Sequence, residues 1–155
     1  MTNISAAAPT HSSLIAGLLR LRSLLESVPY SVLAIPLRLA VATVFWNSGT
    51  TKLASWDTTL QLFADEYRLP LLPPEIAAYM AASIELTTPA LLVLGLLTRP
   101  AAFVLLGMTS VIEIFVYPQA WPTHIQWAAM LLILLCRGPG RFSLDHLIWS
   151  RIRPR

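Results

Sequence analysis

Four long apolar stretches occupy the middle of this 155-residue sequence and leave few folds open to it. They run over Ser31–Leu53, Glu75–Leu97, Ala101–Tyr117 and Thr123–Cys136. A helix needs about 20 apolar residues to cross the hydrocarbon core of a bilayer, so the first three suffice and the fourth is barely long enough. Charged residues make up only 12% of the chain, and the shortage falls in these stretches. A soluble domain carries about 25% charged residues. The expected fold is an all-α membrane protein: a four-transmembrane-helix bundle with short amphipathic interfacial helices at both ends.

Three zones follow. Residues 1–30 form an N-terminal segment whose Met1–Ser13 part is small, polar and expected to be disordered. Its Leu14–Ser27 part sets Leu14, Leu18, Leu21 and Leu25 at helical spacing, which suits a helix lying on a membrane surface or docked on a partner protein. Residues 31–137 hold the four spans. Residues 138–155 form a basic, amphipathic C-terminal segment opened by Gly138-Pro139-Gly140, with Ser143 as an N-cap. No basic residue precedes Arg20, so Met1–Pro29 does not read as a cleavable signal peptide. Between the first two spans, Leu60, Phe63, Ala64 and Tyr67 predict a short helix over Thr58–Tyr67. Pro89 is expected to kink the second span, and Trp121 and Trp127 to sit in an aromatic belt.

Arginines mark one membrane side. Arg20 and Arg22 precede the first span, Arg99 separates the second and third, and Arg137, Arg141, Arg151, Arg153 and Arg155 follow the fourth. The positive-inside rule then places both termini in the cytoplasm. The formal charge of +3 is explained by these edges and does not point to nucleic acid. A lone cysteine, Cys136, excludes an internal disulfide and reads as a small hydrophobe.

Arg38, Lys52, Glu85 and Glu113 stand inside the spans, where an unpaired charge is costly. Counting about 1.5 Å per helical residue places Arg38 roughly 10 Å in from one face, Glu85 near the midplane and Glu113 roughly 20 Å up. Two polar layers are expected. Arg38 reaches toward Glu85 in the lower one; Asn47, Lys52, Glu113, His124 and Gln126 meet in the upper one, with Glu85 within reach of Asn47. Two readings fit equally. Buried ion pairs can simply fix helix register. Alternatively the groups line a polar pocket for a small polar or quinone-like ligand, a proton or a metal ion. One histidine among carboxylates is a weak metal signal, and no metal site is expected; Met80, Met108 and Met130 suit packing.

Several pieces resemble the DoxX family. They are Arg38 early in the first span, its Gly49-Thr50-Thr51-Lys52 ending, Glu85 in the second, Leu94-Gly95-Leu96-Leu97-Thr98-Arg99-Pro100-Ala101-Ala102, and the closing Gly138-Pro139-Gly140-Arg141-Phe142-Ser143-Leu144-Asp145. The resemblance covers about Ile35 to Asp145, and Arg38, Lys52, Glu85 and Asp145 are the family-typical polar positions. It implies a small four-helix protein of the bacterial inner membrane. The family includes a membrane subunit of a thiosulfate:quinone oxidoreductase and relatives beside redox-stress and metal-stress genes. No complete set of catalytic groups can be named, so the chain is not expected to be an enzyme on its own. The expectation is a partner-dependent subunit linked to a redox or quinone-using membrane complex, with no cofactor held by the chain alone and a quinone as the candidate ligand. The alternatives are a structural or assembly subunit and, behind it, a small metal- or solute-handling protein. Membrane lipids, other subunits or a second copy are the expected partners.

Overall fold

The computed structural model describes residues 10–152, and every regular element in it is helical. The elements are α1 (Thr10–Glu26), α2 (Tyr30–Ala54), α3 (Trp56–Leu62), α4 (Pro74–Leu94), α5 (Thr98–Val111), α6 (Trp121–Arg137) and α7 (Leu144–Ile152). Two single π-turns, Phe63–Tyr67 and Ile112–Val116, extend α3 and α5. Thr10–Ser13 form the first turn of α1 rather than part of a structureless tail; Met1–Pro9 and Arg153–Arg155 lie outside the described residues.

The bundle is a ring in which α2 packs on α4, α4 on α5, α5 on α6 and α6 back on α2. Among the described residues, three helical stretches are long and apolar enough to cross a membrane: Tyr30–Ala54, Pro74–Leu94 and Thr98–Val116. Helix α6, expected from the sequence as a fourth span, has 17 residues. It is about 25 Å long at 1.5 Å per residue, a little less than the bilayer core.

Local chemistry sets the boundaries. Helix α4 ends at Gly95, whose φ of 65° puts it in the left-handed region. Leu96 donates its N–H to the Leu91 carbonyl (2.9 Å) and Gly95 to Leu92 (3.1 Å), the paired bonds of a Schellman stop. The next helix begins at Thr98, three residues on. Leu97 and Thr98 donate their backbone N–H groups to the Asp145 carboxylate at 2.8 and 3.0 Å. A residue 47 positions away in sequence thus fills the N-cap role that no local side chain takes. The restart of the chain after Gly138-Pro139-Gly140 is capped at Ser143, whose Oγ accepts from the His146 N–H at 3.2 Å.

Packing is close in the half of the bundle near the α4–α5 turn. Phe45, Leu92, Leu105, Leu131 and Leu134 are buried together there, with Ala101 and Ala102 letting the helices approach. A second, smaller cluster joins Phe63 to Ala77, Ala78 and Ala81, so the α3 segment folds back over the start of α4. The Thr59 hydroxyl fixes this return by donating to the Lys52 carbonyl at 3.0 Å. Ala64, expected on the inner face of that segment, is exposed. Trp127, expected in an interfacial belt, is half-buried and lies edge-on to Phe45 at 5.6 Å. Helix α1 has no extensive packing on the bundle, and Leu14, Leu18, Leu21 and Leu25 are all exposed.

Candidate functional site

Between the two apolar clusters the helices enclose a cavity of about 360 Å³. Its walls are mainly apolar: Phe45, Met80, Ile84, Val104, Met108 and Trp127 among others. Lys52, Glu85 and Ser48 face it from α2 and α4, and His124 faces it from α6.

Gly49 makes the first polar group possible. A Cβ there would stand 3.0 Å from the Glu85 Cβ and from Leu86, so α2 and α4 touch at this level because α2 offers no side chain. With the backbones that close, Lys52 Nζ sits 2.8 Å from Glu85 Oε1 and 2.7 Å from Oε2. The hydrogen-bond alignment is toward Oε1; Oε2 is held by charge alone. Ser48 completes the set, its hydroxyl donating to Glu85 Oε1 (3.1 Å) and accepting from Lys52 Nζ (2.9 Å). Glu85 is only 2% exposed, so the ion pair is what makes its charge tolerable. Pro89, one turn on, has no N–H and so frees the Glu85 carbonyl of its helical partner.

The second polar group lies across the cavity. His124 Nδ1 is 2.6 Å from Glu113 Oε2, and the ring leans on Trp127 with centroids 5.1 Å apart. Glu113 sits on the π-turn that ends α5, where one extra residue in the turn changes the direction of the side chain. With the carboxylate on Nδ1, the imidazole is oriented and Nε2 is the nitrogen left for a ligand. At the rim the two π-turns meet. Tyr117 donates its hydroxyl to Glu66 at 2.6 Å and packs edge-on against Tyr67 at 5.6 Å. The Glu66 carboxylate, with some help from burial, pushes the Tyr117 phenol well above its ordinary range, and burial raises Tyr67. Beyond Lys52, a second cleft of about 430 Å³ is lined by Asn47, Thr51, Ser55, Thr58 and Thr59, and it shares Ser48, Lys52 and Tyr67 with the cavity.

Three expectations are corrected here. Arg38 does not meet Glu85. Its side chain runs the other way, with Nη2 donating to the Phe142 carbonyl at 2.9 Å, and it packs against Gly95 and Ser143. Asn47 does not face the cavity; it is exposed on the cleft side of α2, and the neighbouring Ser48 takes the place expected for it beside Glu85. Gln126 is exposed on the outside of α6. Helical rotation accounts for both misplacements. At about 100° per residue, positions two apart lie roughly 160° apart around the axis, so Gln126 cannot share a face with His124, nor Asn47 with Gly49. Ser48, Tyr117 and Glu66 were not singled out from the sequence, and Tyr67 only as part of a helix face. Ser48 was findable, because it lies one turn before Lys52 at i,i+4. Among the described residues no three His, Cys, Asp or Glu side chains come together as a metal site would require, and Glu85 stays with Lys52, apart from the Glu113–His124 pair.

A helical bundle with apolar outer faces and paired charges around an internal cavity defines a small integral membrane protein. Residues 33–118 match the DoxX family model, and the chain belongs to the DoxX family. It is similar to the inner membrane protein YphA of Escherichia coli, 33% identical over 130 residues that cover 74% of this chain and 89% of YphA. It is also similar to an uncharacterized protein of Haemophilus influenzae, 29% identical over 136 residues covering 80% of this chain and 88% of that protein. No solved structure matches the chain significantly.

Proposed function

We propose that the protein is a partner-dependent membrane subunit that binds a quinone-type headgroup in the cavity between Lys52–Glu85 and Glu113–His124. The observation that carries the reading is the cavity itself. Its 360 Å³ is within the range of small-molecule pockets, and its apolar walls present a few polar groups from facing helices. A quinone ring wants that combination: apolar faces for the ring and a donor at each oxygen. Lys52 and His124 are the donors. Reduction to the quinol takes two electrons and two protons; in this reading a partner subunit supplies the electrons, and the Glu113–His124 and Lys52–Glu85 pairs relay the protons. The hydroxyl-lined cleft beyond Lys52 is the route by which the second pair regains a proton from water. In this arrangement α6 is the fourth span, in keeping with its packing on both α5 and α2. Both termini then lie in the cytoplasm, with Arg99, Arg137 and Arg141 at that face.

A second reading, an assembly subunit, is favoured by one observation: the cavity's Lys52 and Glu85 are already paired with each other, and its His124 with Glu113. Purification from the native membrane in mild detergent, with mass spectrometry of proteins and extracted lipids, separates the two. A stoichiometric redox enzyme together with retained quinone, both sensitive to Glu85→Gln, is the expected result. A complex without quinone that stays assembled and active with Glu85→Gln would leave the assembly reading in its place.

A further inference from the structure

At the opposite end of the bundle, a cleft of about 560 Å³ lies between the α4–α5 turn, the end of α6 and α7. Three arginines line it, Arg99, Arg137 and Arg141, and His146 stands beside them. None of the three arginines forms an ion pair among the described residues. Arg99 donates from Nη2 to the Cys136 carbonyl at 3.3 Å, and Arg137 lies over the Tyr30 ring at 5.0 Å. The one carboxylate in the cleft, Asp145, is already committed to the N–H groups of Leu97 and Thr98. Among the described residues the cleft therefore sets three arginines against one carboxylate, an excess of positive charge.

The surroundings say what kind of anion fits. Phe103 stands one turn inward from Arg99 on α5, and Ile133 one turn inward from Arg137 on α6; both are exposed, Phe103 at 66%. The basic cleft thus sits at the foot of an apolar surface, at the level where the spans end. A soluble anion would use the arginines and ignore that surface. A lipid would use both.

We infer that this cleft is a binding site for the phosphate headgroup of an acidic phospholipid, held by Arg99, Arg137 and Arg141, with its acyl chains lying along α5 and α6 past Phe103 and Ile133. Basic pockets at the ends of transmembrane helices bind acidic headgroups in this way, and each arginine near such a surface contributes about a fivefold gain in affinity. The site is separate from the quinone cavity and does not depend on it.

The test is native mass spectrometry of the full-length protein from nanodiscs containing equal phosphatidylglycerol and phosphatidylethanolamine. The wild type should retain phosphatidylglycerol preferentially. Arg99→Gln and Arg141→Gln should each cut that retention about fivefold. Arg20→Gln/Arg22→Gln, which removes charge from α1 instead, should leave it unchanged, and circular dichroism of each variant checks that the bundle is intact. Equal retention of both lipids, undiminished retention in Arg99→Gln/Arg141→Gln, or displacement of the lipid by millimolar inorganic phosphate would overturn the assignment.

Discussion

The two halves of the bundle solve opposite problems. Near the α4–α5 turn, Leu92, Leu105, Leu131 and Leu134 are fully buried and the backbones are locked by bonds from distant residues, Asp145 to Leu97 and Thr98, Arg38 to Phe142. Near the π-turns, a 360 Å³ space stays open and charges line it in pairs. The close-packed half provides rigidity, which lets the other half keep an open cavity. Helix packing in a membrane gains nothing from expelling water between apolar faces, so tight contact has to come from shape and from small residues. Ala101, Ala102 and Gly95 supply that at one end; at the other, Gly49 brings α2 onto α4, and Ala77, Ala78 and Ala81 admit Phe63.

If this contrast is right, removing a charge from the open half should do more damage than removing a large side chain from the closed one. Lys52→Met leaves the Glu85 carboxylate buried without its counter-ion and should cost about 3–5 kcal/mol. Lys52→Met/Glu85→Gln should recover most of that. Thermal unfolding in detergent followed by circular dichroism measures both, and a double variant no better than the single would show that the pair is not the unit of stability. In the closed half, Leu105→Ala should lower stability by about 2 kcal/mol, the packing share of such a truncation. Met108→Ala, on the cavity wall, should cost clearly less; equal losses would mean that the cavity is filled or collapsed in the membrane.

The smallest effect belongs to the rim. The native Tyr117 phenol has its pKa raised, so its proton is held more tightly in the folded state. Its contribution is present below the ordinary tyrosine value of about 10 and is lost as pH rises beyond it. The stability difference between wild type and Tyr117→Phe should therefore be flat from pH 7 to 9 and shrink above about 10. A difference that grows with pH would mean that Tyr117 does not donate to Glu66.

Much of this was readable in advance. Apolar stretches gave the helices, glycines and prolines gave their ends, and the few charged or titratable residues inside the spans included Lys52, Glu85 and His124 of the cavity and Glu113, the partner of His124. What failed was the pairing. Counting residues along a helix gives depth, and by depth both Arg38 and Asn47 lie within reach of Glu85. Depth says nothing about direction around the axis, nor about a long side chain turning back toward its own end of the bundle, as Arg38 does to reach Phe142.

The sequence by itself determined an all-helical membrane protein of the DoxX family and the residues that had to be paired somewhere, because apolar length and misplaced charge are local properties of a chain. Only the tertiary structure decided which charge meets which. The close approach of α2 and α4 at Gly49 sets the rotation of both helices, and that rotation brings Lys52 and Ser48 to Glu85 and turns Asn47 away. The Asp145 cap, supplied to the α5 N-terminus from a segment far along the chain, exists only once the bundle has closed.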